Sequence, residues 1–304
     1  MSRLVRNPHF LLIGIVISMM IWGVSWPSAK VLSRYGGPLE IALIRFVFTF
    51  LGVLVLLKAI RVKIFIQKAG VPSLLGASVL MAGYSLLFFS GILHGMPGAG
   101  GVLVTTTTPL VTFLLAVLFS GRKLIGREYL GLGIGLCAGF FLLSLWNSWT
   151  HVFESGNLYF LGSTVVWGFL SRFTGQSHRF GSPLAFSLWI YFFCILILGS
   201  LAPWAKVWSI LQHGDSLFWF NMIFNAVINT GLATTFYFYG TSKLGPEKTS
   251  SFIYIVPFAA ALSSLFFIGE TLQWNTIVGG LLAILSVYII NRKKKSGNDE
   301  GLSR

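Results

Sequence analysis

The feature that most constrains this chain is an uncharged segment that is as long as a membrane is thick. No charged residue lies between Lys248 and Glu270, a gap of 21 residues. An α-helix of that length extends for about 30 Å, which matches the hydrocarbon core of a bilayer. Lipid leaves only helices and closed barrels as spanning structures, and the sequence lacks the strict polar–apolar alternation of barrel strands. The segment therefore predicts a membrane-spanning helix.

The rest of the chain has the same apolar character. Of its 304 residues, 55% are hydrophobic and 10% are charged, and the mean hydropathy is +0.80. Soluble globular domains contain about 25% charged residues, so that class is excluded. We expect an all-α membrane protein with ten transmembrane helices. The predicted spans are residues 10–32, 39–57, 71–92, 99–119, 129–146, 158–176, 184–201, 217–240, 248–268 and 274–290.

The distribution of basic residues predicts the orientation of the chain. A net charge of +14 could indicate nucleic-acid binding, but the basic residues lie in short loops and do not form one patch. With the amino terminus in the cytoplasm, 18 of the 22 Lys and Arg residues fall on the cytoplasmic side and three fall outside. Cytoplasmic loops of membrane proteins carry such an excess. We therefore expect both termini in the cytoplasm, with 292–304 as a basic cytoplasmic tail, and no nucleic-acid partner.

Two sequence patterns occur twice in the chain. Pro109 and Pro257 are each followed by glycine 12 positions later, and the two copies are offset by 148 residues. The Trp22-Gly23 pair and the Trp167-Gly168 pair are each followed by proline 16 positions after the tryptophan, and these two copies are offset by 145 residues. Two similar offsets indicate an internal repeat.

The repeat divides the chain into two homologous halves, residues 1–148 and 152–291. Each half contains five of the predicted spans. An odd number of spans places the second half upside down in the membrane relative to the first. Inverted repeats are typical of secondary transporters, whose substrate site lies near the midplane of the bilayer between the repeats.

These features together resemble the EamA-type branch of the drug/metabolite transporter superfamily. The likeness rests on the Trp-Gly pair in the first helix of each half, on Arg45-Phe46 in the second helix, and on Pro109 and Pro257 in each fourth helix. It covers nearly the whole chain. The resemblance implies a ten-helix carrier of the inner membrane, and many such carriers export metabolites. One departure is Gly121-Arg122, where the family often has Gly-Glu.

Arg45 is the one ionised side chain that we place well within a predicted span. A charge at that depth costs at least ~2.5–3.5 kcal/mol and often marks a substrate pathway. The alternatives are that Arg45 extends outward to water or pairs with Glu40 on the same helix. No counterpart occurs in the second half, where the offset of 145 reaches Ile190. A guanidinium can hold a carboxylate through two hydrogen bonds, so Arg45 predicts an amino acid or organic acid as substrate.

A stripe of asparagines follows one face of the predicted eighth helix. Asn221, Asn225 and Asn229 are four residues apart and therefore share that face. Lipid cannot satisfy three amides, so the stripe must face protein or water. We favour the wall of a substrate cavity for Asn225 and Asn229, and the alternative is hydrogen bonding between helices.

Polar residues precede the repeated prolines. Thr107 lies in a run of four threonines before Pro109, and Tyr254 follows two serines before Pro257. Proline within a helix removes one backbone hydrogen bond, so we expect both prolines to mark helix kinks that free carbonyl groups. Ordinary packing through small residues is the alternative.

Aromatic residues complete the predicted site. Trp22, Trp26, Tyr84 and Trp167 are candidates for an aromatic cavity wall, although core or lipid-facing packing would explain any one of them. The predicted substrate-binding residues are thus Arg45, Asn225, Asn229, Trp22, Tyr84, Thr107, Trp167 and Tyr254.

The leading hypothesis is a secondary transporter that carries a small-molecule metabolite across the lipid bilayer by alternating access. The alternatives are a membrane-embedded enzyme that modifies lipid and an assembly or sensor subunit that does not transport. The sequence has no paired acids within a helix, no His-Glu-x-x-His pattern and no Gly-rich phosphate loop after a strand. We therefore expect no enzymatic activity, no cofactor and no metal.

Overall fold

The computed structural model describes residues 8–95, 97–142, 144–146, 155–260 and 274–292, which are almost entirely helical. The first seven helices are α1 (Pro8–Leu32), α2 (Pro38–Ala59), α3 (Val71–His94), α4 (Pro97–Ser120), α5 (Gly126–Leu142), α6 (Ser155–Gly175) and α7 (Pro183–Leu201). They are followed by α8 (Trp204–His213), α9 (Ser216–Ile223), a π-helical segment (Phe224–Thr234), α10 (Thr235–Leu244), α11 (Pro246–Ser251), a 3₁₀ turn (Phe252–Ile255), a helical stretch at 256–260 and α12 (Trp274–Asn291). The all-α prediction is confirmed for these residues.

Six helices in the described ranges are long and apolar enough to cross a membrane. They are His9–Leu32, Pro38–Ala59, Lys68–His94, Gly100–Ser120, Pro183–Leu201 and Trp274–Asn291. Of the other predicted spans, α5 has 17 residues, and the segment that begins at Pro246 continues into 261–273, outside the described residues. Gly269, which is the glycine 12 positions after Pro257, and Glu270 also lie there. The chain is thus a helical membrane protein, and the count of ten spans stays a prediction.

The predicted eighth helix differs from a regular α-helix, because its middle is a π-helix. The Phe224–Thr234 segment joins α9 to α10 without a break in the helical backbone. A π-helix is wider than an α-helix, and its backbone N–H and C=O groups are less well aligned. Side chains of neighbouring helices donate hydrogen bonds to two of its carbonyl groups. Thr49 donates to the carbonyl of Ala226 at 2.9 Å, and Tyr191 donates to that of Thr230 at 3.1 Å. These bonds fix the π segment against α2 and α7.

Helix α8 was not predicted, and it lies in the connection after α7. Its side chains segregate strongly into a polar and an apolar face. Val207 is buried against the bundle, whereas Trp204 and Trp208 are 60% and 62% exposed. Ten residues are too few to span a bilayer, so α8 connects two spans without being one.

The helices pack mainly across the boundary between the two predicted halves. The most extensive contacts are α3 with α6, α5 with α12, α4 with α6 and α2 with α7. Helix α1 in turn packs on the π segment. The buried core therefore lies between residues 1–148 and 152–291 and not within either range alone.

The glycines of the two Trp-Gly pairs each allow a close helix approach. A Cβ atom on Gly23 would lie 2.7 Å from the backbone nitrogen of Ala260 and 2.9 Å from the Val256 carbonyl oxygen. A Cβ atom on Gly168 would lie 2.9 Å from side-chain carbons of Val111 and Leu115. Each Trp-Gly pair thus places its glycine against the proline-containing helix of the other half.

Several basic loops meet at one end of the bundle. Arg122, after α4, pairs with Glu128 at the start of α5 and lies 3.8 Å from Glu247 at the start of α11. Arg172, near the end of α6, donates to the Ser120 hydroxyl at 2.7 Å. The α2–α3 loop contacts the α6–α7 loop through a 2.9 Å hydrogen bond from the backbone N–H of Gln67 to the backbone carbonyl of Phe180.

Candidate substrate cavity

A cavity lies in the middle of the bundle where helices of both halves converge. Its volume is about 50 Å³, enough for a few water-sized groups because one water needs about 10–15 Å³. It is lined by Trp22, Ser25, Trp26, Arg45, Met81, Tyr84, Phe88, Val104, Thr105, Thr108, Trp167, Asn229, Thr230, Thr234, Ile253 and Val256. Five of the eight predicted substrate-binding residues are therefore brought together.

Arg45 is the charged residue of this lining. Its side chain is 4% exposed, so it does not extend outward to water. The guanidinium Nη2 donates to the Ser85 hydroxyl at 2.7 Å, and Ser85 in turn donates to the carbonyl of Met81. The guanidinium also lies 5.0 Å and 4.9 Å from the ring centroids of Phe46 and Phe89.

Within the described ranges, Arg45 makes no ion pair. Glu40 stays in the first turn of α2, where the helix dipole stabilises an acidic side chain. The Arg45 Nε is buried and has no hydrogen-bond partner. A buried cation without a counter-ion is costly, and an anionic ligand in the cavity would remove that cost.

Aromatic side chains of both halves form the centre of the cavity wall. Trp22 and Trp167, which the repeat relates to each other, meet edge to face with ring centroids 5.2 Å apart. Tyr84 lies 4.5 Å from Trp167, and Tyr237 lies 5.0 Å from Trp22. The Trp167 Nε1 is buried without an acceptor, so it can donate a hydrogen bond to a ligand.

The asparagine stripe serves two different purposes along its length. Asn225 is not part of the cavity lining, and its Nδ2 donates to the Ser28 hydroxyl of α1 at 2.6 Å. Asn229 does line it, and its Oδ1 is buried without a donor. Asn221 donates to the carbonyl of Leu217 within its own helix. The interhelical alternative therefore describes Asn225, and the cavity prediction describes Asn229.

Thr107 and Tyr254 point away from the cavity. Thr107 bonds to the carbonyl of Leu103 and lies 3.3 Å from the hydroxyl of Thr164 on α6. Tyr254 is buried, and its ring occupies the space above Gly135 of α5. Their neighbours Thr105, Thr108, Ile253 and Val256 line the cavity instead.

The two repeated prolines differ in their local structure. Helix α4 continues through Pro109 as an α-helix. The chain before Pro257 is a 3₁₀ turn, and helical geometry resumes at 256–260. The backbone irregularity thus lies in the second half.

Some lining residues were not among the candidates although the sequence contained a signal for them. Ser25 lies three positions after Trp22, on the same helix face. Thr105 and Thr108 are three apart and share a face in the same way. Which threonine of a run of four faces the cavity depends on the rotation of α4, and that rotation is set by packing against α6.

The chain matches one transporter family along nearly its whole length. The model of the EamA-like transporter family matches residues 9–144 and again 154–292. The uncharacterized transporter YvbV of Bacillus subtilis is 25% identical over 305 residues, which cover 97% of this chain and 95% of that protein. An uncharacterized transporter of Archaeoglobus fulgidus is 23% identical over 292 residues, which cover 93% and 99% of the two chains.

A likeness to solved structures supports the fold alone. One crystal structure superposes with a TM-score of 0.67 at 15% sequence identity. The superposition covers 91% of this chain and 95% of that chain.

Proposed function

This chain belongs to the EamA-like transporter family, and we propose that it carries a small metabolite with a carboxylate group across the membrane by alternating access. The expected substrates are amino acids and organic acids, and the expected direction is export. The expected site is the central cavity, with Arg45, Trp22, Tyr84, Trp167 and Asn229 as contacts.

The observation that carries this proposal is the buried, unpaired guanidinium of Arg45. A guanidinium has five N–H donors in a planar fork, which fits the two oxygens of a carboxylate. One of these donors bonds to Ser85, and Nε has no partner. Two parallel hydrogen bonds to a carboxylate would neutralise the charge and satisfy the buried donor.

Two further unpaired atoms in the same lining refine the substrate class. The Nε1 of Trp167 can donate a hydrogen bond, and the Oδ1 of Asn229 can accept one. A substrate that carries an amine or hydroxyl next to its carboxylate presents both the acceptors and the donor that these atoms lack. Amino acids and hydroxy acids have this arrangement.

Alternating access requires two halves that can rock about the site, and the contacts support such an arrangement. Helix α3 of the first half packs on α6 of the second half, and α1 of the first half packs on the π segment of the second half. Each Trp-Gly pair contacts the proline-containing helix of the other half. We therefore propose ten spans in two inverted repeats, 1–148 and 152–291, with the 3₁₀ turn before Pro257 as a site of flexibility and a kink at Pro109 only when α4 moves.

The proposed location is the inner membrane with both termini in the cytoplasm. The support is the gathering of basic loops at one end of the bundle, together with the excess of Lys and Arg in cytoplasmic loops of membrane proteins. The tail at 292–304 would then be cytoplasmic.

Transport in proteoliposomes tests the proposal. Purified chain is reconstituted with trapped unlabelled amino acids or organic acids, and uptake of the labelled compound is measured for wild type, Arg45→Lys and Arg45→Gln. We expect Arg45→Lys to bind substrate more weakly, because it retains the charge but not the fork. Arg45→Gln should lose transport by at least about tenfold, since loss of a charged hydrogen-bond partner costs about 2–5 kcal/mol.

The matched control is Arg34→Gln, which removes an exposed arginine outside the spans and should transport normally. Full activity of Arg45→Gln would contradict the carboxylate site. Transport of neutral compounds alone would contradict the substrate class but not the carrier function. Conversion of the reconstituted lipid, followed by mass spectrometry, would instead support a lipid-modifying enzyme.

A further inference from the structure

A large apolar groove lies on the outer surface of the bundle, apart from the central cavity. Its volume is about 690 Å³, within the range of about 300–1,000 Å³ typical of ligand sites. Helix α1 contributes Leu12, Val16 and Met20 to one wall, and α12 contributes Ile284 and Val287 to the other. The groove thus lies between the first and last helices of the described chain, with the helix that begins at Pro246 forming its floor.

The groove is open to the surface that faces lipid. Leu12, Met20 and Ile284 are exposed, and Tyr288 is 61% exposed. Within the hydrocarbon core, only an apolar chain can occupy a groove with these walls, because water would find few hydrogen-bond partners there. The surrounding bilayer supplies such chains.

One end of the groove is polar and positively charged. Lys248, Asn291 and Arg292 line it there. The Asn291 Nδ2 donates to the Ser251 hydroxyl at 2.7 Å, which ties the end of α12 to α11. Lys248 is three residues from Ser251, and Arg292 follows Asn291, so this bond holds both cations at the same end of the groove.

The position of these cations matches the depth of a lipid headgroup. Helix α12 has 18 residues, which extend about 27 Å and nearly cross the hydrocarbon core. Its last residues therefore lie where the hydrocarbon core meets the headgroups. Lys248 and Arg292 are both exposed, and neither forms an ion pair within the described part of the chain.

We propose that this groove binds one anionic phospholipid, with an acyl chain along α1 and α12 and the phosphate between Lys248 and Arg292. Basic pockets between membrane helices bind anionic headgroups through the same combination of charge and apolar wall. A zwitterionic lipid would fill the apolar part equally well but would gain less from the two cations. The lipid would contact α1 of one half and α11 and α12 of the other, and its binding does not depend on the transported substrate.

Native mass spectrometry of the full-length protein in detergent tests this assignment. Delipidated protein is titrated with phosphatidylglycerol or with phosphatidylcholine of the same acyl chains. We expect wild type to retain one phosphatidylglycerol in preference to phosphatidylcholine. Each of Lys248→Gln and Arg292→Gln should weaken phosphatidylglycerol binding by about fivefold, and the double variant should bind both lipids alike.

Two further variants separate a site from general surface charge. Lys58→Gln with Lys63→Gln removes two exposed cations, one in the last turn of α2 and one in the loop that follows, and should leave the preference unchanged. Ile284→Trp narrows the groove without changing charge, and it should reduce the binding of both lipids.

Three results would overturn the proposal. The first is equal binding of the two lipids by wild type, a result that does not depend on whether any variant folds. If the Lys58 and Lys63 control lost its preference for phosphatidylglycerol as fully as the Lys248 and Arg292 double variant, the effect would come from overall charge and not from the groove. A dimer that disappears in Ile284→Trp would assign the groove to a second copy of the chain.

Discussion

At the scale of single residues, the buried polar groups separate into those that hold helices together and those that lack a partner. Asn225 is buried and bonded to Ser28 across a helix interface, whereas the Oδ1 of Asn229, one turn further on, has no donor. Native proteins pair nearly all buried polar atoms, so unpaired ones next to a cavity indicate where a ligand binds. The unpaired atoms of Arg45, Trp167 and Asn229 all belong to residues of one lining.

Leucine substitutions should distinguish the two asparagines. Asn225→Leu should lower the melting temperature, because it removes an interhelical hydrogen bond worth about 0.6 kcal/mol and up to about 1.7 kcal/mol. Asn229→Leu removes the cavity acceptor and a long, 3.4 Å bond from its Nδ2 to the Oδ1 of Asn225 on the same helix, so it should melt close to wild type but transport several-fold more slowly. Thermal unfolding and proteoliposome uptake of the same preparations measure both effects. Lost transport at unchanged stability in Asn225→Leu would show that this residue also contacts substrate.

At the scale of elements, the two Trp-Gly pairs combine a cavity wall with a close helix approach. The tryptophan of each pair lines the cavity, and the glycine beside it allows another helix to come close. The approach at Gly23 is the more rigid one, because its nearest neighbours include backbone atoms of Val256 and Ala260. At Gly168 the nearest atoms belong to side chains that can move.

Alanine substitutions should reflect this difference. Gly23→Ala should destabilise the protein by about 1–3 kcal/mol, the usual cost of overpacking, whereas Gly168→Ala should cost less. Gly133→Ala is the control, since a Cβ there meets no atom within 4 Å and alanine favours the helix. The measurement is thermal unfolding in one detergent. Equal melting temperatures for Gly23→Ala and Gly133→Ala would mean that α1 can move away from 256–260 at no cost.

At the scale of the whole molecule, charged side chains connect the two halves in addition to the packing of their helices. The Arg122–Glu247 pair joins the loop after α4 to the start of α11, and Arg172 of α6 reaches the end of α4. Both contacts lie at the basic end of the bundle. An alternating-access cycle would have to break and remake contacts of this kind when that end opens.

Reporter fusions test the proposed inverted arrangement. A fusion after residue 295 should show cytoplasmic behaviour, and a fusion near residue 150 should show external behaviour, because five spans separate the amino terminus from that point. Paired reporters that are active only inside or only outside the cell provide the measurement. An internal position near residue 150 would contradict the ten-span model and the inversion together.

The sequence by itself determined the class of this protein. Uncharged segments of bilayer length that lack the polar–apolar alternation of barrel strands must be helices in lipid, and the spacing of Trp22, Trp167, Pro109 and Pro257 indicated the family to which the chain belongs. Arg45 stood out because an intramembrane charge is costly and therefore rare. These conclusions depend on how each residue type is solvated in lipid and on the spacing of residues along the sequence, and both can be read without the tertiary structure.

Only the tertiary structure decided which polar residues face the cavity. Thr107 and Thr108 are adjacent and chemically identical, yet packing turns the first towards α6 and the second into the cavity. The π segment depends likewise on Thr49 and Tyr191, which lie far away in sequence and bind its displaced carbonyls. The rotation of a helix about its axis is set by the side chains of its neighbours, and no local pattern records it.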